Sequence, residues 1–159
     1  MKKLVVIAEA EEMKLVKDLG YDHLPVLITG VGALNVIDAL KDISRDTMIL
    51  NIGYAGSKDL EPGKYYTVDS VTLYHPNVEY REPTYGLNFI GYIHNDADRI
   101  DTKKCYTGCD FVLHSELSNC LFDMELAYIK ALGFDHLVSI KYVSDNLDLA
   151  QHRETIKDE

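Results

Sequence analysis

Apolar residues fall in short runs separated by polar stretches, and the runs set the expected elements. Leu4 to Ala8 is apolar at every position, which predicts a strand buried on both faces, as in a parallel sheet. Leu15, Val16 and Leu19 share one helical face, so a helix is expected from about Glu11 to Leu19, with Gly20 as its stop. Val26 to Thr29 predicts a second strand, and Val36, Ile37, Ala39 and Leu40 a second helix. Thr47 to Ile52 predicts a third strand, ending in a turn at Gly53-Tyr54-Ala55-Gly56. Strand and helix alternate over residues 3–53, the pattern of a parallel sheet with right-handed crossovers. Further on, Leu126, Ala127, Ile129, Ala131 and Leu132 predict a helix stopped by Gly133. Leu137 to Val143 then predicts another buried strand.

Between these blocks the texture changes. Lys64 to Tyr74 alternates and is rich in β-branched and aromatic residues, typical of an exposed or antiparallel strand. His75-Pro76-Asn77 breaks it. Residues 78–86 are irregular and polar, Leu87 to Ile93 reads as a further strand, and Asn95 to Lys104 as a surface loop. Cys105 to Val112 reads as a strand with a glycine turn. After Asp145 only residues 146–159 remain, and they read as a frayed or short helical tail.

Length and composition narrow the class. The 159 residues suit a single domain, 1–159, with its own core. A net charge of −10 repels phosphate backbones, so a nucleic-acid surface is not expected. No apolar run approaches the roughly 20 residues of a membrane span, and the short apolar run after Met1-Lys2-Lys3 is not expected to act as a secretory signal. Three cysteines, Cys105, Cys109 and Cys120, form no disulfide framework, so a reducing cytoplasm is the expected setting. Their spacing and the scattered histidines match no metal site. With 11 tyrosines against 4 phenylalanines, the chain is rich in amphipathic rings. The Tyr-rich stretch 74–92 is therefore a plausible pocket wall or subunit contact.

The candidate chemistry lies where strands end. If the sheet is parallel, four carboxyl ends share one edge, where ligands of α/β sheets bind. There stand Glu9, Glu11 and Glu12, then Gly30-Val31-Gly32, then Gly53 to Gly56, and last Ser144-Asp145. Asp123 and Glu125 open the helix before that last strand. Acids in a first helical turn also serve the helix dipole, so Glu9 and Glu11 have an ordinary explanation. Gly30-Val31-Gly32 has Asn35 where a dinucleotide fingerprint needs its last glycine, so no cofactor is expected. Several carboxylates in different environments can divide acid, base and hydroxyl-binding roles among themselves.

Six motifs in order resemble one superfamily. They are A-x-x-E-E at Ala8 to Glu12, T-G-V-G-x-x-N at Thr29 to Asn35, and N-x-G-x-A-G at Asn51 to Gly56. T-G-x-x-F at Thr107 to Phe111, D-M-E at Asp123 to Glu125 and V-S-D-N at Val143 to Asn146 follow. Together they resemble the nucleoside phosphorylases and nucleosidases, and the acidic start most resembles the 5′-methylthioadenosine/S-adenosylhomocysteine nucleosidases.

The resemblance implies a three-layer α/β/α domain with a central mixed, mostly parallel sheet. It implies hydrolysis of the N-glycosidic bond of a purine nucleoside, without a cofactor, by a homodimer or higher homo-oligomer. Glu12 would polarise the water, and Asp145, oriented by Ser144, would protonate the leaving base. Glu125 would hold the ribose hydroxyls with Met124 beside the sugar and Gly53 in the sugar-side turn. Phe111 would stack on the base, and Val112 would offer it backbone groups. Three departures stand out. Tyr54 replaces a small residue, residues 95–104 replace an internal helix, and the long C-terminal helix is not expected. A phosphate-dependent phosphorylase and a non-catalytic nucleoside-binding module are the alternatives. The first is disfavoured because none of the four arginines lies in a glycine turn.

Overall fold

A computed structural model describes residues 2–75, 84–87 and 100–157. The chain opens with β1 (Lys3–Ile7), a 3-10 turn (Ala10–Glu12), α1 (Met13–Asp18), β2 (Val26–Ile28), α2 (Ala33–Leu40) and β3 (Met48–Gly56). It continues through β4 (Tyr65–Leu73), β5 (Tyr85–Gly86), β6 (Thr102–Thr107), β7 (Cys120–Asp123), α3 (Leu126–Ala131), β8 (His136–Asp145) and α4 (Leu149–Lys157). The α/β class and the mixed sheet expected from sequence are present.

β1 lies between β2 and β3, parallel to both. β3 continues parallel to β8 over nearly its whole length. The carboxyl ends of β1, β2, β3 and β8 therefore share an edge. The sheet then curls. β8 pairs antiparallel with β4, β4 parallel with β6, and β6 parallel with β7. Phe122 of β7 pairs back onto Gly56 of β3, so β3, β8, β4, β6 and β7 form a closed ring. An open layered sheet, the sequence-based expectation, leaves this closure out. Closure brings the carboxyl end of β7, with Asp123, against the carboxyl end of β3.

A bulge sharpens that edge. Ala55 pairs with Val143 but Gly56 pairs with Asp145, so Ser144 is an extra residue on β8. Bulges break the two-residue alternation and re-aim side chains. Here Ser144 and Asp145 both line one cavity instead of opposite faces.

Helices cover both faces of the parallel part. Ile49, Leu137 and Val143 pack with Val36, Leu40, Leu126 and Ile129 of α2 and α3. Their neighbours Leu50, Ile52, Val138 and Ile140 pack with Leu15 and Val16 of α1 and with Ile156 of α4. The alternation along β3 and β8 thus decides which helices each face buries.

Several expected boundaries move. The turn expected at Gly53 to Gly56 is strand, and all nine residues of β3 are buried, because β8 pairs with it to the end. β6 begins at Thr102, inside the expected loop, and ends at Thr107, short of the expected Val112, because β4 and β7 hold it on both sides. β7 occupies the approach to α3, where sequence showed no strand. The C-terminal tail, expected as a frayed or short helical stretch, is a nine-residue helix, α4. The strand expected at Leu87 to Ile93 and most of the Tyr-rich contact stretch 74–92 lie outside the described residues.

Candidate active site

Glu12 closes the 3-10 turn after β1 and is 5% exposed. Its Oε1 accepts the N–H groups of Ala8 (2.8 Å) and Glu9 (3.0 Å), and its Oε2 that of Tyr54 (2.8 Å). The carboxylate is thus held between the ends of β1 and β3. Burial pushes its pKa up, against the opposing pull of Lys141 and these three N–H groups. The position needs Gly53, since a Cβ there would stand 2.6 Å from Glu12 Oε2.

Asp145 ends β8 and is fully buried. Its Oδ1 accepts the Ser144 hydroxyl at 2.6 Å, and its Oδ2 the Asp148 N–H at 3.2 Å. Burial raises its pKa, while Ser144, backbone N–H groups and His152 hold it down in part. Gly56 makes room here, for a Cβ on it would lie 2.9 Å from Asp145 Oδ2.

Glu125 sits just before α3, and its Oε2 accepts the Gly32 N–H at 3.0 Å. That bond ties the glycine turn after β2 to the start of α3. Burial, then the charge of Asp123, pushes the Glu125 carboxyl up to about 8. Asp123 itself is consumed by structure. It accepts the Leu126 N–H at 2.8 Å, the first N–H of α3, and it accepts the Thr107 hydroxyl. It also pairs with Lys141 Nζ at 3.1 Å, with both side chains buried. Burial disfavours the Lys141 ammonium, but Asp123, Cys105, Glu125 and Glu12 together raise its pKa overall.

One cavity of about 300 Å³ joins these groups. Of the residues singled out from sequence, Glu12, Phe111, Val112, Met124, Glu125, Ser144 and Asp145 line it. Gly53 does not, and it contributes by leaving space for Glu12. Glu9, given an ordinary helix-dipole explanation from sequence, also lines the cavity. Sequence reading missed three others. His152 and Arg153 line the cavity from the tail expected to be frayed or a short helix. Lys141 was hidden in a mostly apolar strand, where a lone lysine at an inward position signals a buried partner. The Tyr54 ring packs against His152 with centroids 5.7 Å apart. Its hydroxyl has no hydrogen-bond partner among the described residues. No cluster of His, Cys, Asp and Glu among those residues is arranged to hold a metal ion.

Neither a protein-family model nor a curated protein matches the chain. Solved structures do. The 5′-methylthioadenosine/S-adenosylhomocysteine nucleosidase (MTAN) of S. pneumoniae superposes with a TM-score of 0.75 at 19% identity, over 98% of this chain and 92% of that one. The corresponding enzyme of Neisseria meningitidis gives 0.72 at 17%, over 99% and 93%. The MTAN of Chlamydia trachomatis gives 0.74 at 21%, over 99% and 88%. The chain has the nucleosidase fold. The S. pneumoniae structure holds the transition-state inhibitor MT-ImmA, and a Chlamydia structure holds MTA.

Proposed function

We propose that the chain hydrolyses the N-glycosidic bond of purine nucleosides of the methylthioadenosine/S-adenosylhomocysteine class, using water. The observation that carries this is the convergence of Glu12, Glu125 and Asp145 on one cavity, each in a different environment. Breaking the bond builds positive charge on the sugar and negative charge on the base. Glu12 polarises the water and takes its proton. Asp145, whose raised pKa favours the acid form, gives a proton to the leaving base. Glu125 holds the ribose hydroxyls with Met124 against the sugar. Phe111 packs on the base, and the backbone at Val112 meets its edge.

Hydrolysis is favoured over phosphorolysis by charge. Among the described residues, carboxylates crowd the cavity and Arg153 is its one basic lining side chain apart from the His152 imidazole. A phosphate site needs more cations or free backbone donors. The test is base release in buffers with and without inorganic phosphate. Equal rates with free sugar as product support hydrolysis, and strict phosphate dependence with sugar 1-phosphate overturns it.

The reading includes a homodimer. Leu34 (84% exposed) and Ile37 (42%) share a face of α2. Val31, which lines the cavity, is also exposed. Exposed apolar residues in contiguous sets mark association surfaces. A cytoplasmic setting accords with three unpaired cysteines.

A further inference from the structure

Helix α4 is fastened to the site. The Thr155 hydroxyl donates to the Ser144 carbonyl at 2.9 Å. Lys14 of α1 donates to the Thr155 carbonyl at 3.0 Å. Gln151 Oε1 accepts the Asn146 N–H at 2.8 Å. These bonds set the His152 imidazole over the end of β8. Its Nδ1 lies 2.8 Å from Ser144 Oγ and 3.7 Å from Asp145 Oδ1. Its ring packs between Tyr54 and Phe111, with centroids 5.7 and 5.5 Å away. The side chain keeps 18% of its surface exposed.

Ser144 has one hydroxyl proton and two partners, Asp145 Oδ1 at 2.6 Å and His152 Nδ1 at 2.8 Å. Two arrangements satisfy all three groups. With Asp145 ionised, the hydroxyl donates to it and Nδ1 must carry a proton. With Asp145 protonated, the carboxyl donates to Oγ, and the hydroxyl donates to a bare Nδ1. The two differ by one proton step along each link, which is the property of a proton wire.

We infer that Ser144 and His152 form a proton path that recharges Asp145 after each turnover, with His152 as the solvent-facing end. The inference rests on the hydrolase reading. As the bond between the sugar and the base breaks, its electron pair leaves with the base, and the Asp145 proton goes to the base. The neutral imidazole of His152 then takes a proton from solvent, Ser144 takes the Nδ1 proton of the imidazolium so formed, and the Asp145 carboxylate takes the Ser144 proton, which restores the starting arrangement. The proton lost by the attacking water goes to Glu12 and then to solvent, so the sum is addition of one water. His152 touches no reacting atom in this scheme and acts through Ser144. Charged and titratable groups surround it. Glu9, Glu12, Asp123, Glu125 and Asp145 line the same cavity, Arg153 follows it on α4, and Tyr54 lies against its ring. Lys14 sits over the Tyr54 ring, and the Asp148 N–H bonds Asp145.

The test follows the ring nitrogens of His152 by NMR through a pH titration of the full chain, wild type against Ser144→Ala and Asp145→Asn. Removing an adjacent opposite charge or its bridging hydroxyl lowers the proton affinity of the imidazole, here by about tenfold for Asp145→Asn. Titration at the same pH in all three proteins overturns the path. This measurement stands even if the wild type releases no base, an outcome that would instead overturn the hydrolase reading. A kinetic arm uses His152→Gln, which keeps a polar group on α4 but does not titrate. The path predicts kcat about tenfold lower at alkaline pH, with partial rescue by added imidazole. A wild-type pH profile for kcat in that variant also overturns it.

Discussion

Gly53 and Glu12 are matched in space: a methyl group on Gly53 would stand 2.6 Å from Glu12 Oε2. The glycine lies within a strand of nine buried residues, so its role is clearance and not a turn. Gly53→Ala is expected to displace the Glu12 carboxylate and lower kcat/KM by about a hundredfold, near the worth of a positioned base. Overpacking should also cost about 1–3 kcal/mol of stability. Steady-state kinetics and urea melts check both, and a fully active Gly53→Ala enzyme would contradict the arrangement.

Lys141 and Asp123 form a buried ion pair inside the strand ring. Lys141→Met leaves Asp123 buried without its partner and should cost about 3–5 kcal/mol in urea denaturation. The double variant Lys141→Met with Asp123→Asn should be more stable than the single one, because the Asp123 charge is then no longer buried alone. A single variant as stable as the wild type would show that the pair carries no such strain.

Glu125 gives a pH signature. Its folded pKa, about 8, lies above its ordinary value of 4.5, so folding favours the protonated form. The contribution is full below pH 4.5 and is lost as pH rises through about 8. Glu125→Gln cannot ionise, so relative to wild type it should melt higher at pH 9 than at pH 5. Melting curves at the two pH values check this, and an equal difference at both would contradict the raised pKa.

The α2 surface predicts assembly. Leu34→Glu with Ile37→Glu places two charges on exposed apolar positions. Light scattering should give a dimer for the wild type and a monomer for the variant, with the folded circular dichroism spectrum retained. A monomeric wild type would remove the homodimer from the account.

Much of this was legible in the chain. Leu4 to Ala8 announced a parallel strand because all its residues are apolar, and Val26 to Thr29 and Leu137 to Val143 because most of theirs are. The chemistry-bearing residues stood out because carboxylates and glycines mark strand ends. Ring closure was not legible, since it depends on the contact of Gly56 with Phe122, far apart in sequence. β7 hid because four residues carry too little periodicity to separate from a helix approach. His152 hid for a different reason. The tail has a weak apolar face, and its order comes from bonds to Ser144, Lys14 and Asn146 rather than from helix propensity.

The central claim is that Asp145, buried and paired with Ser144, delivers the proton that lets a purine leave. The most direct measurement is adenine release from methylthioadenosine in phosphate-free buffer, wild type beside Asp145→Asn. The account predicts turnover by the wild type and a loss of about a thousandfold in the variant. Equal rates in the two proteins, or no release by the wild type, would contradict it.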